Sequence, residues 1–327
     1  MTEEAVKSEA DYIEPNRRGR PGRLPPEDSA RITRRITALA VLLGLFFAIG
    51  KFFVWQETHS VGILSTLVHS ALDLFGALSS FVAVRYAARP PDNQYRFGRG
   101  KAESFSAVFQ VCLIVFAAFH LLEAAYERFV DPHPLEQSGF AIAVLILFIG
   151  LTVWLIIAQS WAIRATGSIA VRGDRAHYIA DMFANVIVII GILLTSFTSF
   201  LRADAIVGIL LALWLFWTAY RVARLAWAQL MDQELPEAER DLIIKMALED
   251  NRVKAVHDLR TRASGPHVHI QMRLNLDNNL SLEEAHDIVL AAEQRMMLKY
   301  KAADIHIHPH PLGCHATHGN VRFRSES

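Results

Sequence analysis

Apolar residues gather in six blocks, near residues 34–55, 60–87, 102–129, 138–163, 170–197 and 203–229, and each is long enough for a helix to cross a bilayer. From about Pro236 the pattern changes to that of a small soluble domain. Glu237–Asp250 is acidic and amphipathic, with Leu242, Ile243, Met246 and Ala247 at helical spacing. Lys254–Arg262 alternates as a strand does, Ser264-Gly265-Pro266 forms a turn, and His267–Leu276 alternates again. Ser281 caps a helix running to about Tyr300, with Glu284 three residues on completing a capping box, and Asp304–His308 forms a last short strand. The expected fold is a membrane all-α bundle of six transmembrane helices followed by a small cytoplasmic α+β domain. Its order αββαβ puts two helices on one face of a three-stranded sheet. The expected division is an amino-terminal disordered arm over 1–30, a membrane domain over 31–232, a soluble domain over 233–312 and a disordered His-containing tail over 313–327.

Composition supports the membrane reading: 52% of the 327 residues are hydrophobic. A formal net charge of zero conceals an uneven distribution. Arg31, Arg34 and Arg35 precede the first block, Arg85, Arg89, Arg96, Arg99 and Lys101 follow the second, Arg164, Arg172 and Arg175 lie between the fourth and fifth, and Arg221 and Arg224 close the sixth. The opposite connections are nearly free of basic residues, so both termini are expected on the cytoplasmic side of a plasma (inner) membrane. Residues 1–30 have no apolar core resembling a secretory signal, and their Arg-, Pro- and Gly-rich composition reads as a solvated arm. Two cysteines, Cys112 and Cys314, imply no disulfide framework. Nothing in the charge pattern points to nucleic acid.

Two stretches inside the apolar blocks carry chemistry. His69 and Asp73 are four residues apart, as are His177 and Asp181, so each pair projects from one helix face. Ionisable groups at such depth cost about 2.5–3.5 kcal/mol each on insertion scales. Two imidazoles and two carboxylates at matched spacing form a four-coordinate N/O donor set, most naturally for tetrahedral Zn²⁺. Such a site binds metal with neutral imidazoles and ionised carboxylates, so metal and protons compete for it. No Gly-x4-Gly-Lys-Ser/Thr motif supplies ATP, and no His-Glu-x2-His motif supports an intramembrane hydrolase. A metal-sensing membrane protein is the other alternative. Asn185 continues the face of His177 and Asp181 one turn further. His120 and Glu123 read as polar packing, and Lys51 as a side chain snorkelling to the outer interface.

These stretches resemble the transport motifs of the cation diffusion facilitators, a family of divalent-metal efflux carriers. The run from Pro90 to Ser104, with Tyr95-Arg96-Phe97-Gly98-Arg99-Gly100-Lys101-Ala102-Glu103-Ser104, and the run Ala255–Arg262 are similar to family stretches, and the likeness extends from about residue 34 to 312. The resemblance implies a homodimeric, proton-coupled antiporter exporting Zn²⁺ by alternating access, with Cd²⁺, Fe²⁺, Co²⁺ or Mn²⁺ as alternative cargo and no enzymatic activity. His69, Asp73, His177 and Asp181 become its transport ligands, and the soluble domain becomes metallochaperone-like. His257, His286 and His308 match regulatory metal positions there, with Arg273 and His310 as departures and His269 as a substitute ligand. Lys101 and Asp232 match a charge interlock at the membrane boundary. Where some members bind metal in the loop after the second span, this chain keeps Asp92 but has Tyr95 and Arg99, so no loop site is expected. Cys314, His315 and His318 are expected in a disordered tail.

Overall fold

The computed structural model describes residues 21–58, 61–130, 139–197 and 203–313. Six long helices make the membrane domain: α1 Pro26–Thr58, α2 Val61–Ala87, α3 Ala102–Val130, α4 Gly139–Thr166, α5 Ile169–Phe197 and α6 Ala203–Leu230. Among the described residues, five combine the length and apolarity of membrane spans. The first half of α5 carries Arg172, Asp174, Arg175 and Asp181. That half is largely enclosed, with Ala170, Val171, Asp174, His177, Tyr178 and Ala180 all buried. α3, α5 and α6 meet along Ala107, Ala118, Ala176, Ala180, Ala219 and Ala226. Small residues let helix backbones approach closely where lipid offers no hydrophobic drive for association.

The soluble domain contains α7 Glu237–Ala247, β1 Val253–Ser264, β2 His267–Leu276, α8 Leu282–Lys299 and β3 Ala303–Pro311. The capping box at Ser281 and Glu284 forms as the sequence predicts. The sheet order is β1-β2-β3, antiparallel between β1 and β2 and parallel between β2 and β3, with α8 as the crossover. Alternate residues of β2, Val268, Ile270, Met272, Leu274 and Leu276, are buried against Ile243, Met246, Ile288, Val289, Ala292 and Met296 of the two helices. The expected two-layer αββαβ arrangement is present.

Three details differ from expectation. β3 runs on through Pro309 to Pro311, because an edge strand tolerates residues that cannot donate to a ladder. The amino-terminal arm does not extend to residue 30: α1 begins at Pro26, and the preceding stretch is docked on the soluble domain. There the Gly22 N–H donates to Pro266 O at 2.9 Å and Gly22 O accepts from the Ala302 N–H at 3.1 Å. Gly22, at φ +81, lies so close to Val268 that a Cβ would come within 2.7 Å of it. His120 and Glu123 are exposed on the surface of α3 rather than packed within the bundle.

A second contact joins the domains. Gly100, just before α3, touches the β1–β2 turn so tightly that a Cβ there would come within 2.0 Å of Ser264 O. Gly265 meets it in the positive-φ conformation that favours glycine. The side chain of Asn185, the connections at 131–138 and 198–202, and Arg17, Arg18, Arg20, Cys314, His315 and His318 lie outside the described residues.

Candidate metal centre

The two His-x3-Asp stretches come together where α2 faces α5. His177 Nε2 lies 3.0 Å from Asp73 Oδ1 and 3.5 Å from Asp181 Oδ2, while His69 Nε2 lies 3.7 Å from Asp73 Oδ1 and 3.5 Å from Asp181 Oδ1. Each imidazole thus reaches both carboxylates, one from its own helix and one from the neighbour. Ligand atoms of His69, Asp73 and Asp181 all lie within 4.8 Å of one another, spacing that a single cation can bridge. The His177 side chain is 3% exposed and that of His69 47%, so the cluster is closed at one end and open at the other. The open end is a cavity lined by Gly44, Phe47, Lys51, Phe148, Thr152 and Tyr178 beside the ligating groups. Lys51 does not snorkel outward as the sequence suggests. It points into this cavity and donates to Ser70 Oγ at 2.6 Å.

Beneath the cluster is a buried polar network that sequence reasoning missed. Asp174, one turn before His177 on α5, accepts from Gln159 Nε2 of α4 at 2.7 Å and from Gln110 Nε2 of α3 at 3.2 Å. Gln110 also reaches Ser80 Oγ of α2 at 3.3 Å, so one carboxylate ties four helices together. The same i, i+3 spacing that links Asp174 to His177 was the available signal.

In the soluble domain, the sheet face opposite the helices gathers most of the histidines. Register places His257 beside Arg273 and Arg273 beside His308, in one row across three strands. The rings of His308 and His310 lie 4.7 Å apart. His306 stands on the same face and had not been anticipated. Arg273 is engaged by Asp258 at 2.7 Å, which neutralises a cation that would otherwise repel metal from this row. His269 is turned to other partners, Asp304 at 3.1 Å and the edge of the Phe97 ring. Burial pushes the pKa of His267 down, and the neighbouring His269 adds to the effect. His286 sits exposed on α8, on the helix side of the sheet. Among the described residues, no three of these histidines converge within one chain.

At the membrane boundary Lys101 Nζ lies 2.9 Å from Asp232 Oδ2 and 3.2 Å from Leu230 O, and Arg262 of β1 approaches the same carboxylate at 3.1 Å. Burial raises the Asp232 pKa, but the Lys101 hydrogen bond and the two positive charges more than offset this and hold it below the usual carboxylate range. In the loop before α3, Arg99 binds the Asp92 carboxylate and covers the Tyr95 ring at 4.3 Å.

The model of the cation efflux transmembrane domain matches residues 37–231, and that of the cation efflux protein cytoplasmic domain matches 235–312. The chain belongs to the cation diffusion facilitator family. Among relatives, the cation-efflux pump FieF of Cronobacter sakazakii is 34% identical over 87% of this chain and 94% of its own length. FieF of Serratia proteamaculans is 35% identical over 86% of this chain and 94% of its own. A solved structure of CzrB in a Zn form is 30% identical over 25% of this chain and 96% of its own, with a TM-score of 0.24. This facilitator is therefore a multi-pass membrane protein and a cation efflux transporter, of a family whose members are transporters rather than enzymes.

Proposed function

We propose that this facilitator exports Zn²⁺ from the cytoplasm in exchange for protons, through a transport site made of His69, Asp73, His177 and Asp181. The observation that carries this reading is the crossed geometry, in which each imidazole contacts both carboxylates across two helices. Two carboxylates neutralise one dication, and two imidazoles complete a tetrahedral set suited to a borderline-soft metal. An imidazole at residue 69, rather than a third carboxylate, lowers the charge of the site and favours Zn²⁺ over Mn²⁺. Protons compete for the same lone pairs, so a proton gradient can drive metal release. Because two of the ligands sit on each helix, a shift of α2 against α5 breaks the set in half. That gives alternating access a direct way to change affinity.

The working unit in this proposal is a homodimer with both termini in the cytoplasm. The His257, His308 and His310 face binds regulatory Zn²⁺ together with residues of the second copy, His286 and His269 included, since the described residues of one chain do not assemble a set there. Lys101 and Asp232 form the interlock about which the soluble domains move.

Zinc flux into proteoliposomes under an imposed pH gradient tests the reading. Asp181→Ala and His177→Ala are each expected to lower flux at least a hundredfold, because a three-donor site loses either charge balance or its buried imidazole. Flux in Asp181→Ala equal to wild type overturns the four-ligand assignment.

A further inference from the structure

Lys51 is the one charged residue of α1 that reaches the metal cavity, and nothing in the proposed transport chemistry uses it. It lies about two turns inside the carboxyl end of α1. From that depth a lysine stem can extend to the interface and keep its ammonium hydrated. The structure does the reverse: the ammonium is anchored on Ser70, the residue after His69, in a cavity that Asp73 and Asp181 also line. The Phe148 ring lies 6.0 Å from the ammonium, closing the cavity on the side of α4. Holding a strongly hydrated cation inward has a cost that the two carboxylates offset through their charge.

Resting on the four-ligand reading above, we propose that Lys51 is an affinity-setting residue of the transport site: its ammonium, held by Ser70, is a fixed positive charge that the incoming dication must share the two carboxylates with. Two carboxylates and two imidazoles in a low-dielectric pocket would otherwise bind a borderline-soft dication tightly enough to slow its release. A carrier must bind firmly enough to load and loosely enough to unload. An ammonium tethered beside the site weakens the loaded state through like-charge repulsion. After the metal leaves, the same charge compensates the carboxylates. It therefore acts on release and reset more than on capture. The effect is purely one of charge, so it applies to every divalent ion by a similar factor and leaves their order to the donor atoms.

The experiment measures Zn²⁺ and Cd²⁺ flux in proteoliposomes carrying the full-length protein, comparing wild type with Lys51→Met, Lys51→Gln and Lys51→Arg. Lys51→Met is expected to lower KM about tenfold for both ions and to lower kcat several-fold, as release becomes limiting. Lys51→Gln, which keeps a polar group for Ser70, is expected to follow Lys51→Met, and Lys51→Arg to stay near wild type. If Lys51→Gln behaves as wild type, or if KM rises in the uncharged variants, the charge-based role is overturned. Should Lys51→Met fail to insert, the Gln and Arg pair decides alone. Asp181→Ala runs alongside: wild-type flux in that variant brings down the four-ligand site and the Lys51 role with it, whereas lost flux there with unchanged KM in Lys51→Gln rejects only the role of Lys51.

Discussion

At the scale of single residues, what the sequence reveals depends on whether chemistry repeats. His69, Asp73, His177 and Asp181 stand out because the same i, i+4 spacing occurs twice in apolar surroundings, and helical periodicity then predicts their side chains with little freedom. Lys51 and Asp174 occur once each. A lone lysine two turns from a helix end has a cheap alternative in snorkelling, so only the packing of α1, α2 and α4 reveals its inward turn. Asp232 yields a prediction of its own. Its carboxyl is held below the ordinary range by Lys101 and Arg262, so its contribution is present above the unfolded carboxylate pKa and is lost as pH falls through the lower folded value. The protection factor of the amides at residues 97–101, taken against the intrinsic exchange rate at each pH, is expected to be high near neutral pH and to fall in acid, with Asp232→Asn showing the lower protection already at neutral pH. Equal exchange in the variant and wild type at neutral pH would show that the pair does not hold the domains together.

Whole elements are more legible than their ends. The six spans and the αββαβ order follow from periodicities of 3.6 and 2, and the predicted strand over His267–Leu276 matches β2. The last strand reads short because Pro309 and Pro311 look like terminators. They are tolerated because β3 pairs on one side only. The docked segment before α1 is illegible for another reason, since its contacts are backbone bonds and a glycine's missing Cβ, neither of which leaves an apolar pattern. Two element-level predictions follow from these contacts. Gly100→Ala places a methyl against Ser264 O and is expected to weaken domain docking by about 1–3 kcal/mol, read as faster limited proteolysis around residues 232–236. Gly150→Ala, where a Cβ meets nothing within 4 Å, is the control and should leave proteolysis unchanged. Arg23 pairs with buried Glu239 at 2.6 Å and stacks 4.6 Å from the Tyr300 ring centre. Arg23→Ala is expected to cost the soluble domain about 1–3 kcal/mol, seen as a lower unfolding temperature of the full-length protein.

The whole molecule depends least on what a single chain can show. On this sheet face His257, His306 and His308 stay exposed in one copy while His310 is buried, and composition alone does not say that a second copy completes the face. Spectroscopic labels on the soluble domains of the purified protein are expected to move closer on adding Zn²⁺, and to do so less when His257 and His308 are both replaced by alanine. A distance unaffected by saturating Zn²⁺ would remove the regulatory part of the proposal. The docking of Gly22 on Pro266 and Ala302 adds a mechanical consequence. The soluble domain is tethered through the link after α6, beside the Lys101–Asp232 pair, and again through the segment entering α1, so a movement about that pair also displaces α1. α1 is one unbroken rod from Pro26, and Lys51 lies about 40 Å along it. A tug on the three-stranded sheet is therefore a tug on the wall beside His69, Asp73 and Asp181, delivered along a strut.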